Sequence, residues 1–166
     1  MNRLKFEFRN LNVFFATLTA GIFIFVNFSV WCAVGSPVYV LRFFSAYLPV
    51  LPLWLFGLCD FISCTLLGFS LGAVLATPCP VYDVYKYRGA FYFVIGATLM
   101  FLHHVFFFCG VRFFAAMLVS ILQCLFLSIA LINFTRVSKL NFIIAALGVL
   151  WSFYLLVFNI ITFFLI

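Results

Sequence analysis

The sequence predicts an all-α integral membrane protein, a bundle of five transmembrane helices forming a single membrane domain over residues 1–166. Three observations carry this. The composition is 69% hydrophobic and only 7% charged, whereas a soluble domain carries roughly 25% charged residues. The apolar residues fall into five runs, each near the ~20 residues that cross a bilayer. The nine basic residues also divide unevenly between the connectors of a five-span chain. Lipid-exposed backbone in hydrocarbon must satisfy its own hydrogen bonds, so the runs are read as helices.

Breakers delimit the runs. The first helix spans Leu11 to Ala33 and stops at Gly35-Ser36-Pro37. Its basic start resembles a signal peptide, but the run exceeds the usual apolar core, which favours a retained span over cleavage near Cys32-Ala33. A first loop with Arg42, Pro49 and Pro52 leads to the second helix, Leu53 to Ala76. The polar connector Thr77 to Gly89 precedes the third helix, Ala90 to Cys109. A turn at Gly110-Val111-Arg112 opens the fourth, Phe113 to Phe134, and Thr135 to Lys139 leads to the fifth, Leu140 to Phe164.

With five spans, Arg3, Lys5, Arg9, Lys86, Arg88, Arg136 and Lys139 share one side, called side A, leaving Arg42 and Arg112 on side B. The positive-inside rule then places side A, and the N-terminus with it, in the cytoplasm. The net charge of +6 is thereby assigned to orientation and anionic headgroups rather than to nucleic acid. The expected surroundings are a lipid bilayer.

The six cysteines lie scattered through apolar runs without metal-ligand or C-x-x-C spacing, so neither a disulfide framework nor a zinc site is expected. Phosphate loops and hydrolase signatures are absent, and only three residues are acidic, which argues against acid–base catalysis. No enzymatic activity, required cofactor or structural metal is expected.

Polar groups inside a membrane are costly and mark either function or helix contacts. Asn27, Asp60, His103, His104 and Asn159 all fall about 8–11 Å inside the side-B boundary at helical rise, so four helices contribute to one polar layer. Such a layer is read either as a ligand pocket opening toward side B beneath the first loop, or as interhelical hydrogen bonding that holds the bundle. Asp60 needs a partner, a proton or a wet cavity, and His103 or His104 is its natural partner. The two histidines stand about 100° apart on a helix, so one pocket does not receive both. A histidine here, His103 in particular, is also a candidate axial ligand for haem iron. Cys64, Gly68, Gly72 and Ala76 form a small-residue ridge for close packing, within the bundle or across a dimer.

These residues lead to a family resemblance. Pro52-Leu53-Trp54-Leu55-Phe56-Gly57 matches the start of a W-V-F-G-P-V-W-x-x-L-Y stretch, and Gly68 a later glycine. Phe107-Phe108 matches the Phe pair of an L-N-x-x-W-x-P-x-F-F motif. Arg136-Val137-Ser138 matches an R-V-S turn, Trp151 an A-W pair and Asn159 an L-N-Y. In this the chain resembles the tryptophan-rich sensory protein/translocator protein (TspO/MBR) family, from the second helix through the fifth. Asp60 stands where the family has a Trp, His103 at the second Trp of the helix-three motif, and Leu147 at a helix-five Pro. The resemblance implies a five-helix bundle, often a homodimer, binding a porphyrin, sterol or aromatic ligand beneath the first loop.

Trp54, Phe56, Phe107, Trp151 and Asn159 match family positions, and Asn27, Asp60 and His103 join them as candidate ligand-binding residues. The expected function is a non-enzymatic receptor or carrier for a flat hydrophobic ligand such as a porphyrin or haem. Photochemical tetrapyrrole degradation is not expected, given the missing tryptophans. Two other functions are open: a structural or accessory subunit without ligand, and a small proton-coupled transporter using Asp60 and histidine.

Overall fold

The computed structural model describes residues 12–34, 51–78, 82–109 and 112–165. The N-terminal basic cluster, the first loop with Arg42 and Pro49, Pro80 and the Gly110-Val111 turn lie outside the described residues. Five helices are seen: α1 (Val13–Val34), α2 (Leu53–Ala76), α3 (Asp83–His104, continued by a π-helical turn Val105–Cys109), α4 (Phe113–Val137) and α5 (Lys139–Leu165). Each is long and apolar enough to cross a membrane, and the described residues contain no strand. The protein is a multi-pass, all-α membrane bundle.

Local chemistry sets the helix ends. The Asn12 side chain accepts from the Phe15 amide at 3.1 Å and caps α1. Helix α3 begins at Asp83 rather than at Ala90, because Asp83 suits the positive end of the helix dipole. Lys86 is then held on the helix, where its ammonium donates to the Thr77 carbonyl at 3.0 Å and satisfies the end of α2. Ser138 serves both sides of the α4–α5 corner. Its amide donates to Phe134 O at 2.9 Å, closing α4, and its hydroxyl accepts from the Asn141 amide at 3.2 Å, opening α5.

Around the bundle the neighbours run α1, α2, α5, α4, α3, and α3 returns to α1 and α2 through a thinner contact. Lipid gives no hydrophobic drive to pair such helices, so small residues and hydroxyls fix the pairs. The ridge on α2 packs inside the bundle. A side chain at Gly68 or Gly72 would come within 2.8 Å of the α1 backbone at Ala20 or Ala16. Thr19 of α1 donates its hydroxyl to Gly68 O at 2.8 Å. On the other flank of α2, Ser63 donates to Gly148 O of α5 at 2.8 Å, and Ser70 to Asn141 O at 3.0 Å. The large exposed side chains of α1, Phe14, Phe25 and Phe28 among them, face outward.

Two apolar clusters fill the interior. Leu67, Leu71, Phe93, Met100, Leu127 and Phe134 belong to one, and Phe56, Phe107, Phe108, Trp151, Leu155 and Phe158 to the other. Along α2 and α3 the change from the first to the second falls at Asp60 and at His103-His104. The charged and titratable side chains thus sit between two dry layers.

Candidate functional site

Asp60 is the centre of the site and is fully buried. It receives hydrogen-bond donors from two neighbouring helices. Asn27 and Trp31, one turn apart on α1, donate to Oδ2 at 3.0 and 2.9 Å. The Trp151 indole on α5 donates to Oδ1 at 2.9 Å. His104 of α3 places Nε2 3.3 Å from Oδ1, an ion-pair distance without the alignment of a hydrogen bond. A carboxylate offers about four acceptor positions, and four N–H groups from three helices surround this one.

The protonation of the pair follows from its contacts. His104 Nδ1 lies 2.8 Å from the Met100 carbonyl, which only accepts, so Nδ1 carries a hydrogen. A bare Nε2 would then set its lone pair against a carboxylate oxygen. The pair therefore carries one proton besides that on Nδ1, as imidazolium and carboxylate or as their neutral form. Asn27, Trp31 and Trp151 occupy three of the acceptor positions of Asp60, and His104 stands beside the carboxylate.

His103 belongs to a second cluster. Its Nε2 meets Asn159, at 3.2 Å from Oδ1 and 2.9 Å from Nδ2. The Asn159 amide nitrogen also reaches Leu155 O at 2.6 Å and Ser120 Oγ at 2.8 Å. The amide nitrogen thus has three acceptor candidates for two hydrogens, and whether His103 Nε2 donates to Oδ1 or accepts from Nδ2 is set by the imidazole tautomer. His103 Nδ1 is buried and unpartnered. The histidine rings touch edge to face with centroids 5.3 Å apart, which joins the two clusters.

The π-helical turn after His104 sets a tilted aromatic ring against each histidine, Phe107 against His103 at 5.7 Å and Phe108 against His104 at 6.0 Å. Phe56 sits one turn before Asp60, against the indoles of Trp151 (5.0 Å) and Trp31 (6.2 Å). Trp151 in turn stacks on Tyr154, with centroids 4.8 Å apart and planes 18° from parallel. Both rings line a cleft of about 340 Å³ between α2 and α5, with Cys59, Ile62, Leu147 and Leu150.

Of the residues singled out from the sequence, Asn27, Asp60, His103, Phe56, Phe107, Trp151 and Asn159 lie in this centre or its aromatic shell. Trp54 stands apart: it is 70% exposed on the first turn of α2. The histidine that meets Asp60 is His104, and Trp31 is a partner that the sequence reading passed over. Its signal was its position, four residues after Asn27 and so on the same helix face. His103 is 1% exposed and enclosed by Asn159, His104 and Phe107. In this packing it offers no open face to a haem macrocycle. No group of three or more metal-ligating side chains occurs among the described residues.

Gln123 gives the layer a control. Its amide donates to Ser152 Oγ at 2.8 Å, but its buried Oε1 has no partner. The near-isosteric Gln123→Met removes the bond together with the orphaned oxygen. Its expected effect on unfolding free energy in mixed micelles is below about 1 kcal/mol; a much larger loss would show that Oε1 is satisfied in the membrane.

Compared with known proteins, the chain matches no family model, no curated protein and no solved structure.

Proposed function

We propose that the chain is a membrane receptor or carrier for a flat hydrophobic ligand, with its N-terminus in the cytoplasm. The observation that carries this reading is the dual engagement of Trp151. Its N–H is fixed by the buried Asp60, while its ring, stacked on Tyr154, forms a wall of the α2–α5 cleft. Rigid aromatic walls with few polar groups are what a flat apolar ligand requires. The resemblance to the translocator protein family supports the same reading through Phe56, Trp151 and Asn159. Asp60 acts here as a positioning residue, because the protein's own N–H groups surround it.

That same enclosure favours a second reading, a structural or accessory subunit whose polar layer only joins helices. Titration of the protein in lipid nanodiscs with protoporphyrin IX and with a sterol separates the two. The receptor reading predicts saturable uptake above empty discs, weakened about tenfold or more by Trp151→Ala, an anchor-residue loss of roughly 1.4 kcal/mol or more. Uptake equal to that of empty discs supports the structural subunit.

A further inference from the structure

The position and lining of the α2–α5 cleft bear on the chemistry of the ligand. Trp151 stands twelve residues after Lys139, about 18 Å along α5, and about 21 Å from its far end at Leu165. The cleft therefore lies near the middle of a hydrocarbon layer about 30 Å thick. Its wall is formed by Ile62, Leu147, Leu150, Trp151 and Tyr154, with Cys59 and Ser63. Of the two small polar side chains, Ser63 already donates to Gly148 O. Among the described residues no basic side chain lines it, and the nearby carboxylate is paired with His104. The bundle interior alongside is filled, with Phe56, Phe107 and Leu155 no more than 1% exposed. The outer lip consists of Leu147 and Leu150, 53% and 62% exposed on the membrane-facing surface.

We propose that the ligand of this cleft is an uncharged, flat ring system that enters sideways from the bilayer. The inference rests on the receptor reading above and narrows its ligand class. A ligand carboxylate at this depth would lie without a cationic partner, and charges at the bilayer centre are strongly disfavoured. The stacked Trp151–Tyr154 pair instead supplies a flat face to any neutral aromatic or sterol-like plane. Entry from lipid follows from the lip, which faces hydrocarbon and not an aqueous end.

The test compares protoporphyrin IX, a dicarboxylate, with its neutral dimethyl ester in nanodiscs of zwitterionic lipid, each measured as protein-dependent uptake above empty discs. Wild type should bind the ester saturably and at least tenfold more tightly than the acid. The cleft-filling Leu150→Phe and Leu147→Phe should weaken ester binding at least tenfold with thermal stability unchanged; both positions are exposed, so folding is retained. If the acid binds as tightly as the ester or more so, or if the filling variants bind like wild type, the inference is overturned and the receptor reading stands. If neither compound binds above empty discs, both fall.

Discussion

Asp60→Ala is expected to lower the unfolding free energy by about 3–5 kcal/mol, the loss seen when one partner of a buried ion pair is removed. The carboxylate accepts from Asn27, Trp31 and Trp151 and faces His104, so its removal leaves four N–H groups without an acceptor between two apolar layers. The damage is not confined to one helix pair. α1 loses both of its side-chain ties to Asp60, and α5 loses the bond that orients Trp151. Asp60→Asn keeps one acceptor oxygen and should cost less, about 1–3 kcal/mol. The double variant Asp60→Leu/His104→Leu should recover part of the loss, because it removes the orphaned imidazole and fills the space with hydrocarbon. Reversible unfolding in mixed micelles reads all three. An Asp60→Ala loss under about 1 kcal/mol, or strict additivity in the double variant, would show that the pair does not hold the bundle.

Gly72→Leu is expected to have the second-largest effect. A Cβ at Gly72 would overlap the Thr19 hydroxyl oxygen and lie 2.8 Å from both Ala16 Cα and Phe15 O. Two of these three contacts are backbone, which no rotamer change relieves, so α1 must move off α2. Overpacking at such a site costs about 1–3 kcal/mol, and the Thr19–Gly68 bond, one turn away, is strained along with it. The expected result is lower thermal stability together with Trp31 fluorescence more accessible to lipid-soluble quenchers. The contrary result is a variant as stable as wild type that has merely lost self-association, which would move the ridge to a dimer interface.

The parts legible in the sequence were those with a one-dimensional signature. Apolar run length and breakers delimit spans, and the fourfold spacing of Cys64, Gly68, Gly72 and Ala76 marks a packing ridge. A shared depth for Asn27, Asp60, His103, His104 and Asn159 follows from helical rise alone, and the structure joins all five through hydrogen bonds, an ion pair and a ring contact. What depth cannot supply is rotation about the helix axis. The choice between His103 and His104 for Asp60 depended on the angle at which α3 meets α2, and helices apolar on all sides carry no phase marker. For the same reason Trp54 and Phe56, two residues apart, read alike in sequence although one faces outward and the other inward. The π-helical turn at Val105–Cys109 has no Pro or Gly to announce it. The early start of α3 was hidden because Lys86 and Arg88 look like loop residues until one of them is seen capping α2.

Under the proposed receptor function, Asp60 acts on the ligand wall through Trp151, by one hydrogen bond of 2.9 Å. The most direct test is a double-mutant cycle on the affinity for protoporphyrin dimethyl ester, combining Asp60→Leu with Trp151→Phe, which removes the indole N–H and keeps an aromatic ring. Asp60→Leu is expected to weaken binding in the wild-type background and to have little further effect once Trp151 is Phe. Equal weakening in both backgrounds would contradict it, because Asp60 would then influence the ligand by a route that does not pass through Trp151.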